Sequence, residues 1–183
     1  EKKKLKEKNK EGKIIEKNFT KNFIKKVISY ANLPKKKLRV IVDTGNGMSG
    51  LTVPKVFDYP NALCTCVLMR RYQWNVIHIA NPLEKENMKD LQKAVVKENA
   101  DIGVAFDGDG DRVGFVDETG EIVEMDLVTA LISKYLLEKK RGFDKKEKIL
   151  YDLRSSWVVK ETIQNLGGEA IESKVGHSFI KGK

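Results

Sequence analysis

The feature that most constrains this chain is an acidic, glycine-rich loop that directly follows a short apolar segment. Residues 102–106 read Ile-Gly-Val-Ala-Phe, which predicts a buried strand, and the next six residues read Asp-Gly-Asp-Gly-Asp-Arg. Asp107, Asp109 and Asp111 therefore recur at every second position. The glycines between them permit positive φ angles, so the loop can curl and direct all three carboxylates towards one point. The sequence predicts a compact acidic site at the end of a strand.

Three carboxylates gathered in this way need a counter-charge. Two carboxylates about 4 Å apart repel by roughly 4 kcal/mol at an effective dielectric constant near 20. Three such pairs cost on the order of 12 kcal/mol, which is as large as the whole stability of a typical domain. A hard divalent cation with oxygen ligands removes this repulsion. The loop therefore predicts a cation site, and the alternative is a solvent-exposed turn whose carboxylates point apart.

Two other kinds of site place aspartates at similar spacing. In an EF-hand, Asp107, Asp109, Asp111 and Glu118 would fill four ligand positions, but Arg112 stands where the sharp turn requires glycine, and strands flank the loop instead of helices. These departures exclude an EF-hand. A haloacid-dehalogenase-like phosphatase would use Asp107 as its nucleophile, although its pattern has Thr or Val where this chain has Asp111. The phosphatase remains an alternative.

Strand and helix patterns alternate along the chain. Helical spacing is predicted over residues 19–31, from about 49, over 83–99, over 126–138 with Asp126 as its N-cap, and over 156–166. Strands are predicted over residues 38–43, 62–69, 101–106, 113–116, 121–123, 149–153 and 170–173. This alternation is typical of an α/β fold, in which a mixed sheet of three-layer type carries helices on both faces.

The same patterns divide the chain into three parts. Residues 1–18 form a basic N-terminal stretch or linker, and residues 19–141 form an α/β domain that carries the acidic loop. Residues 142–183 supply the first β-α-β elements of a second, similar domain, and no closing element follows them. We therefore expect one domain and the truncated start of another.

The net charge of +9 does not spread over the whole chain. Residues 1–40 hold 15 Lys and Arg against 4 Asp and Glu, whereas the remainder holds 20 against 22. No aromatic residue interrupts the first 18 positions, as a base-stacking surface would require. A solvated tail is therefore favoured over a nucleic-acid-binding one. A non-catalytic binding module, whose basic stretch contacts nucleic acid or an acidic partner, is the alternative.

Membrane association is not predicted. The chain contains no apolar run near the roughly 18 residues that a membrane span needs. Its N-terminus is charged from the first residue, and no apolar signal-peptide segment follows. We therefore expect a cytoplasmic protein.

Several short motifs occur in the order found in one enzyme family. Besides the acidic loop, they are Val-Asp-Thr-Gly-Asn-Gly-Met at 42–48, Asn-Pro-Leu-Glu at 81–84, Asp-Leu-Arg-Ser-Ser at 152–156 and Val-Gly-His-Ser-Phe-Ile-Lys at 175–181. In these motifs the chain resembles the α-D-phosphohexomutases, particularly bacterial phosphomannomutases. The resemblance covers residues 19–183, as the second domain of that family and the start of its third. One segment departs, because residues 72–78 keep only the histidine of the family's Asp-Gly-x-Phe-Pro-x-His loop.

The resemblance implies an activity. The family interconverts hexose 1-phosphates and hexose 6-phosphates, here of mannose and/or glucose, through a phosphoserine and a bisphosphorylated intermediate. Its phosphoserine belongs to the first domain, and a sugar-binding loop and a phosphate clamp would lie beyond Lys183. We therefore expect the isolated chain to be inactive and to work with the remaining domains of a full-length mutase.

The resemblance also assigns roles around the acidic loop. Asp107, Asp109 and Asp111 would hold Mg²⁺, with a phosphoserine oxygen from the first domain completing the shell. Arg112 would contact the transferred phosphoryl group as a catalytic residue, because its planar guanidinium suits two phosphate oxygens. The plainer alternative for Arg112 is an ion pair with the neighbouring aspartates.

Three further residues receive roles in the second unit. Arg154 and Lys174 would bind the phosphate or sugar of the hexose phosphate substrate. His177 would approach the sugar hydroxyls and also serve in proton transfer near neutral pH. The alternatives are a surface arginine at a strand end for Arg154 and a structural role for His177.

Overall fold

The computed structural model describes residues 12–31, 38–57, 64–68, 79–139 and 147–181, without the side chains of residues 64–68 and 177. The helices are α1 (Thr20–Ile28), α2 (Ser49–Phe57), α3 (Lys85–Lys97), α4 (Met125–Lys139), α5 (Trp157–Asn165) and α6 (His177–Lys181). The strands are β1 (Leu38–Asp43), β2 (Cys64–Leu68), β3 (Ile102–Phe106), β4 (Val113–Asp117), β5 (Ile122–Val123), β6 (Lys148–Asp152) and β7 (Glu169–Ser173). Among these, no helix is long and apolar enough to cross a membrane.

The first sheet is mixed and has the strand order β2-β1-β3-β4-β5. β1 runs parallel to both β2 and β3, and β4 is antiparallel to β3 and β5. Because β1 and β3 are parallel neighbours, their carboxyl ends meet at one edge, where Asp43 pairs with Ala105. The loops that follow the two strands therefore lie side by side, and the second of them is the acidic loop.

Two apolar clusters cover opposite faces of this sheet. On one face, α3 packs on the strands through Ile41, Met88, Leu91, Val95, Ala100, Ala105 and Val116. On the other face, α2 packs through Val53 against Val40 and Val42, with Val104 and Phe106 alongside. Successive strand residues alternate between the clusters, as the two-residue period of a strand requires. The predicted α/β fold with helices on both faces of a mixed sheet is confirmed.

The second unit consists of two parallel strands, β6 and β7, with α5 packed on them. Its core holds Tyr151, Val159 and Ile163 together with Leu137 of α4. Helix α4 therefore packs mainly on α5 and completes the core of this unit, although the sequence groups its residues with the first domain. The predicted β-α-β start of a second domain is confirmed in its elements.

Three details differ from the sequence-based expectations. α4 begins at Met125, so Asp126 lies inside the first turn and is not its N-cap; its Oδ2 accepts a hydrogen bond from the Ser156 N–H at 3.1 Å instead. α3 begins at Lys85, two residues later than expected, because residues 82–84 form a turn. After β7, where the sequence predicts no further helix or strand, the chain forms the short helix α6.

Candidate metal centre

Asp107 anchors the acidic loop. Its side chain is fully buried. One carboxylate oxygen, Oδ1, accepts hydrogen bonds from the backbone N–H groups of Gly110 at 2.9 Å and Arg112 at 3.0 Å. The other, Oδ2, accepts from Arg112 Nε at 2.6 Å. The Asp107 N–H also donates to the Arg112 carbonyl at 3.2 Å, so the loop closes on itself around this carboxylate.

The surroundings of Asp107 and Asp111 shift the pKa values of these two aspartates in opposite directions. Burial alone would raise the pKa of Asp107, but the hydrogen bonds and charge of Arg112, together with the Gly110 N–H, lower that pKa to about 2. The pKa of Asp111 is raised, chiefly by the negative charge of Asp109 and further by burial and by Asp107. Asp107 is therefore firmly ionised, while Asp111 carries unrelieved repulsion that a bound cation would offset.

The three carboxylates converge. One oxygen from each of Asp107, Asp109 and Asp111 lies within 4.8 Å of the other two, with Asp107 buried and the others exposed. Ligands of one Mg²⁺ ion stand 2.0–2.1 Å from it, so ligand oxygens are about 2.9 Å apart when adjacent and about 4.2 Å apart when opposite. Rotation of the two exposed side chains, Asp109 and Asp111, is needed to bring the oxygens to these spacings. The all-oxygen, anionic donor set is the kind that Mg²⁺ prefers, and the residues fit the ion.

The loop after β1 supports the acidic loop from the side. The Met48 N–H donates to the Gly108 carbonyl at 2.9 Å, and the Gly47 N–H closes a turn on the Thr44 carbonyl at 2.8 Å. A Cβ at Gly47 would stand 2.9 Å from the carbonyl oxygens of Asp107, Gly108 and Thr44, so only glycine permits this approach. The contact between this loop and the acidic loop was not predicted from the sequence, because no sequence motif indicates which loops become neighbours.

Arg112 lies between the acidic loop and the Asn-Pro-Leu segment. Its Nε contacts Asp107, with Asp111 Oδ1 at 3.7 Å, and its Nη1 donates to Asn81 Oδ1 at 3.2 Å. The ion pair with neighbouring aspartates is thus present. This pair leaves other donors of the guanidinium, because only two of its five N–H groups bond to the described residues and the side chain is 49% exposed. The Asn81 contact was not predicted from the sequence, where residues 81–84 served only as one of the motifs of the family resemblance.

The candidates of the second unit follow the ends of neighbouring strands. Arg154 comes after β6 and Lys174 after β7, and these strands are parallel, so both residues lie at one edge. Arg154 Nη2 pairs with Asp152 Oδ2 at 2.9 Å, while its side chain remains 74% exposed. Lys174 Nζ lies 5.7 Å from the centre of the Phe179 ring. His177 begins α6, and neither its side chain nor residues 72–78 belong to the described part of the chain.

Comparisons with known proteins agree on one family. Residues 17–120 match the family model described as phosphoglucomutase/phosphomannomutase, alpha/beta/alpha domain II. Residues 124–183 match the model for alpha/beta/alpha domain III of the same family. The two matches together span nearly the whole chain and meet just before α4.

Individual relatives carry the corresponding names. A phosphomannomutase of Methanocaldococcus jannaschii is 48% identical over 104 residues, which are 57% of this chain and 22% of that protein. A phosphomannomutase/phosphoglucomutase of Pseudomonas putida is 34% identical over 175 residues, covering 94% of this chain and 36% of that protein. A crystal structure of a family protein from Burkholderia thailandensis superposes with a TM-score of 0.79 at 28% identity, over 90% of this chain and 35% of that one. The chain thus spans well under half the length of these relatives.

Proposed function

Because the chain belongs to the phosphoglucomutase/phosphomannomutase family, we propose that it is the metal-bearing part of an enzyme that interconverts hexose 1-phosphates and hexose 6-phosphates. The names of its relatives favour mannose and glucose phosphates as substrates. The observation that carries the proposal is the convergence of three carboxylates at the carboxyl end of β3. Phosphoryl transfer needs positive charge at this kind of site, and these residues are suited to hold it.

Asp107, Asp109 and Asp111 are the proposed ligands of Mg²⁺. When bound, the ion supplies positive charge that offsets the charge developing on the transferred phosphoryl group. Asp107 contributes a carboxylate that Arg112 and the loop backbone keep ionised and fixed in place. Arg112 directs its three remaining N–H groups to the phosphoryl oxygens, where a planar guanidinium can make two parallel hydrogen bonds.

The second unit is proposed to bind the substrate. Arg154 and Lys174 stand at the carboxyl edge of two parallel strands, the usual place for ligands in open α/β sheets. They would bind the phosphate or sugar, and His177 would approach the sugar hydroxyls. The phosphoserine is proposed to come from the family's first domain, so the isolated chain would be inactive without the remaining domains. A cytoplasmic location and the absence of membrane and nucleic-acid partners remain predictions.

The metal site is testable on the chain itself with Mn²⁺ as a paramagnetic probe for Mg²⁺. We expect saturable Mn²⁺ binding, measured by the loss of the free-ion electron paramagnetic resonance signal and reversed by excess Mg²⁺. Asp109→Asn should weaken binding at least about tenfold, because one of three anionic ligands is lost while the buried Asp107 keeps the loop in place. Glu118→Gln is the matched control, since it removes the same charge from an exposed turn outside the cluster. Equal Mn²⁺ affinity in both variants would refute the site.

The phosphatase alternative makes a different prediction. In the phosphatase alternative Asp107 would attack the phosphorus itself, whereas in the proposed mutase its carboxylate, held by Arg112 and the loop backbone, only helps to bind the metal. We therefore expect no hydrolysis of an aryl phosphate by the chain with Mg²⁺ present. Hydrolysis that disappears in Asp107→Asn but persists in Glu118→Gln would favour the phosphatase over the mutase.

A further inference from the structure

We propose that Asn81 is a positioning residue for Arg112, holding the guanidinium so that its free N–H groups face a phosphoryl group bound beside the acidic loop. The inference rests on the proposed phosphate-binding role of Arg112. It adds a residue from a segment separated from the loop by the whole of α3 and β3. Asn81 itself does not contact the phosphoryl group in this proposal, and it acts only through Arg112.

Two hydrogen bonds define the plane of the guanidinium. Arg112 Nε donates to Asp107 Oδ2 at 2.6 Å, and Nη1 donates to Asn81 Oδ1 at 3.2 Å. With the first bond alone, the planar group could still tilt about the Nε–H direction. The second bond removes that freedom, and the remaining donors, including both on Nη2, then keep one orientation. A half-exposed arginine otherwise samples several rotamers, so this fixation lowers the entropy lost when an anion binds.

Asn81 is itself held rigidly. Its N–H donates to the Ile79 carbonyl at 2.8 Å, and its carbonyl accepts from Asn87 Nδ2 at 3.1 Å. Its Oδ1 also accepts from the Leu83 N–H at 3.3 Å, and because Arg112 and Leu83 both donate, the amide oxygen must face them. The following Pro82 packs on β4, where a Cβ at Gly114 would stand 2.9 Å from Pro82 Cβ. Gly114 lies two residues after Arg112, so Asn81 and Arg112 share one scaffold.

The neutral amide has a chemical advantage over a carboxylate at this position. Arg112 already pairs with one anion, Asp107, and has a second at 3.7 Å in Asp111. A third carboxylate would orient the guanidinium equally well but would further neutralise the charge that attracts a phosphate. An asparagine oxygen orients without this competition. The rigidity of the Arg112 guanidinium and its affinity for phosphate should therefore change independently in Asn81 variants. Variants of a merely structural residue would not show this separation.

The test uses the whole chain, labelled with ¹⁵N at arginine, and follows the Nε–Hε signals by NMR. The Arg112 signal is assigned by its loss in Arg112→Lys, and inorganic phosphate is the titrated probe at a fixed Mg²⁺ concentration. In the unaltered chain we expect a rigid Arg112 Nε–Hε group that shifts on phosphate addition. Asn81→Ala should leave this group mobile and weaken phosphate binding about fivefold, the effect of losing one orienting hydrogen bond. Asn81→Asp should restore rigidity but bind phosphate at least about fivefold more weakly than the unaltered chain.

Asn87→Ala is the control, because it removes a hydrogen bond to the Asn81 carbonyl without touching Arg112. It should keep both the rigid signal and the phosphate affinity, because the Asn81 N–H bond to the Ile79 carbonyl and the Glu84 N–H bond to the Asn81 carbonyl still hold the segment. A rigid Arg112 group with unchanged affinity in Asn81→Ala would overturn the inference and leave the proposed function intact. A phosphate affinity that is the same in Arg112→Lys and in the unaltered chain would instead overturn the phosphate role of Arg112. If Asn81→Ala does not fold, Asn81→Asp decides, since unaltered phosphate affinity in that variant contradicts the proposal.

Discussion

Gly110 is the residue of the acidic loop at which substitution by alanine should lower the stability of the protein most. Its φ angle is +79°, in the left-handed region, and a Cβ there would stand 2.4 Å from Ser49 Oγ. Ser49 is the first residue of α2 and is buried, so its hydroxyl has little room to move away. Two costs therefore combine in Gly110→Ala. A left-handed alanine costs about 1–2 kcal/mol and overpacking against Ser49 adds about 1 kcal/mol, giving a loss of about 2–3 kcal/mol.

The two costs can be separated by a double-mutant cycle. In a Ser49→Ala background the hydroxyl is gone and the next atom, Ser49 Cβ, lies 3.7 Å from the added methyl group. Gly110→Ala should then cost only the backbone part, about 1–2 kcal/mol. Gly108→Ala is the matched control, because its φ is not positive and its Cβ would meet nothing within 4 Å, so the change should stay within about 0.5 kcal/mol. Urea unfolding followed by circular dichroism measures all four variants. Equal stability of Gly110→Ala and Gly108→Ala would refute the reasoning.

Three further predictions concern other parts of the described structure. Asp107→Asn should lower the free energy of unfolding by about 2–3 kcal/mol, because an amide cannot accept all three hydrogen bonds. Asp111→Asn should not lower it, since this change relieves the repulsion from Asp109. Urea unfolding compares the two variants. Leu91→Ala, at a fully buried site, should cost about 2–5 kcal/mol in the same assay, and Val96→Ala on the exposed side of α3 less than about 0.5 kcal/mol. The pKa of Asp117 is lowered from 3.8, chiefly by the hydrogen bond from the Thr119 hydroxyl. Ionised Asp117 therefore stabilises the turn above pH 3.8, and this stabilisation is lost as the pH falls through the folded-state pKa. An NMR titration should show the pKa of Asp117 rising in Thr119→Val.

The acidic loop was predictable from local sequence because its geometry is local. An apolar strand sets the direction of the chain, and glycine at 110 supplies the positive φ that turns the loop back. The three carboxylates are separated only by single glycines, so any curled loop gathers them. The burial of Asp107 was not predicted. It depends on Arg112 and on the neighbouring loop after β1, and only the strand order brings that loop into contact.

Contacts distant in sequence were the main omission. Asn81 and Arg112 are joined by a hydrogen bond although α3 and β3 separate them, and no periodicity in the sequence encodes that meeting. The Asn-Pro-Leu motif leads into the helix predicted over residues 83–99, and its residues alone do not indicate a contact with Arg112. A polar residue just before a helix that leads into the next parallel strand is a useful signal for such contacts. The start of that helix lies at the edge of the sheet where the strand ends and its loop begins.

The position of α4 follows from burial rather than from chain order. The sequence places a basic segment after residue 138, which favours a boundary near 141, with α4 closing the first domain. Yet α4 buries Leu137 with Tyr151, Val159 and Ile163, and Asp126 accepts a hydrogen bond from the start of α5. A helix belongs to the unit whose core it completes, because removing it exposes that core to water. We therefore propose that the boundary lies near residue 124, between β5 and α4. On this division the metal loop and Arg112 lie in one unit, whereas Arg154, Lys174 and His177 lie in the other.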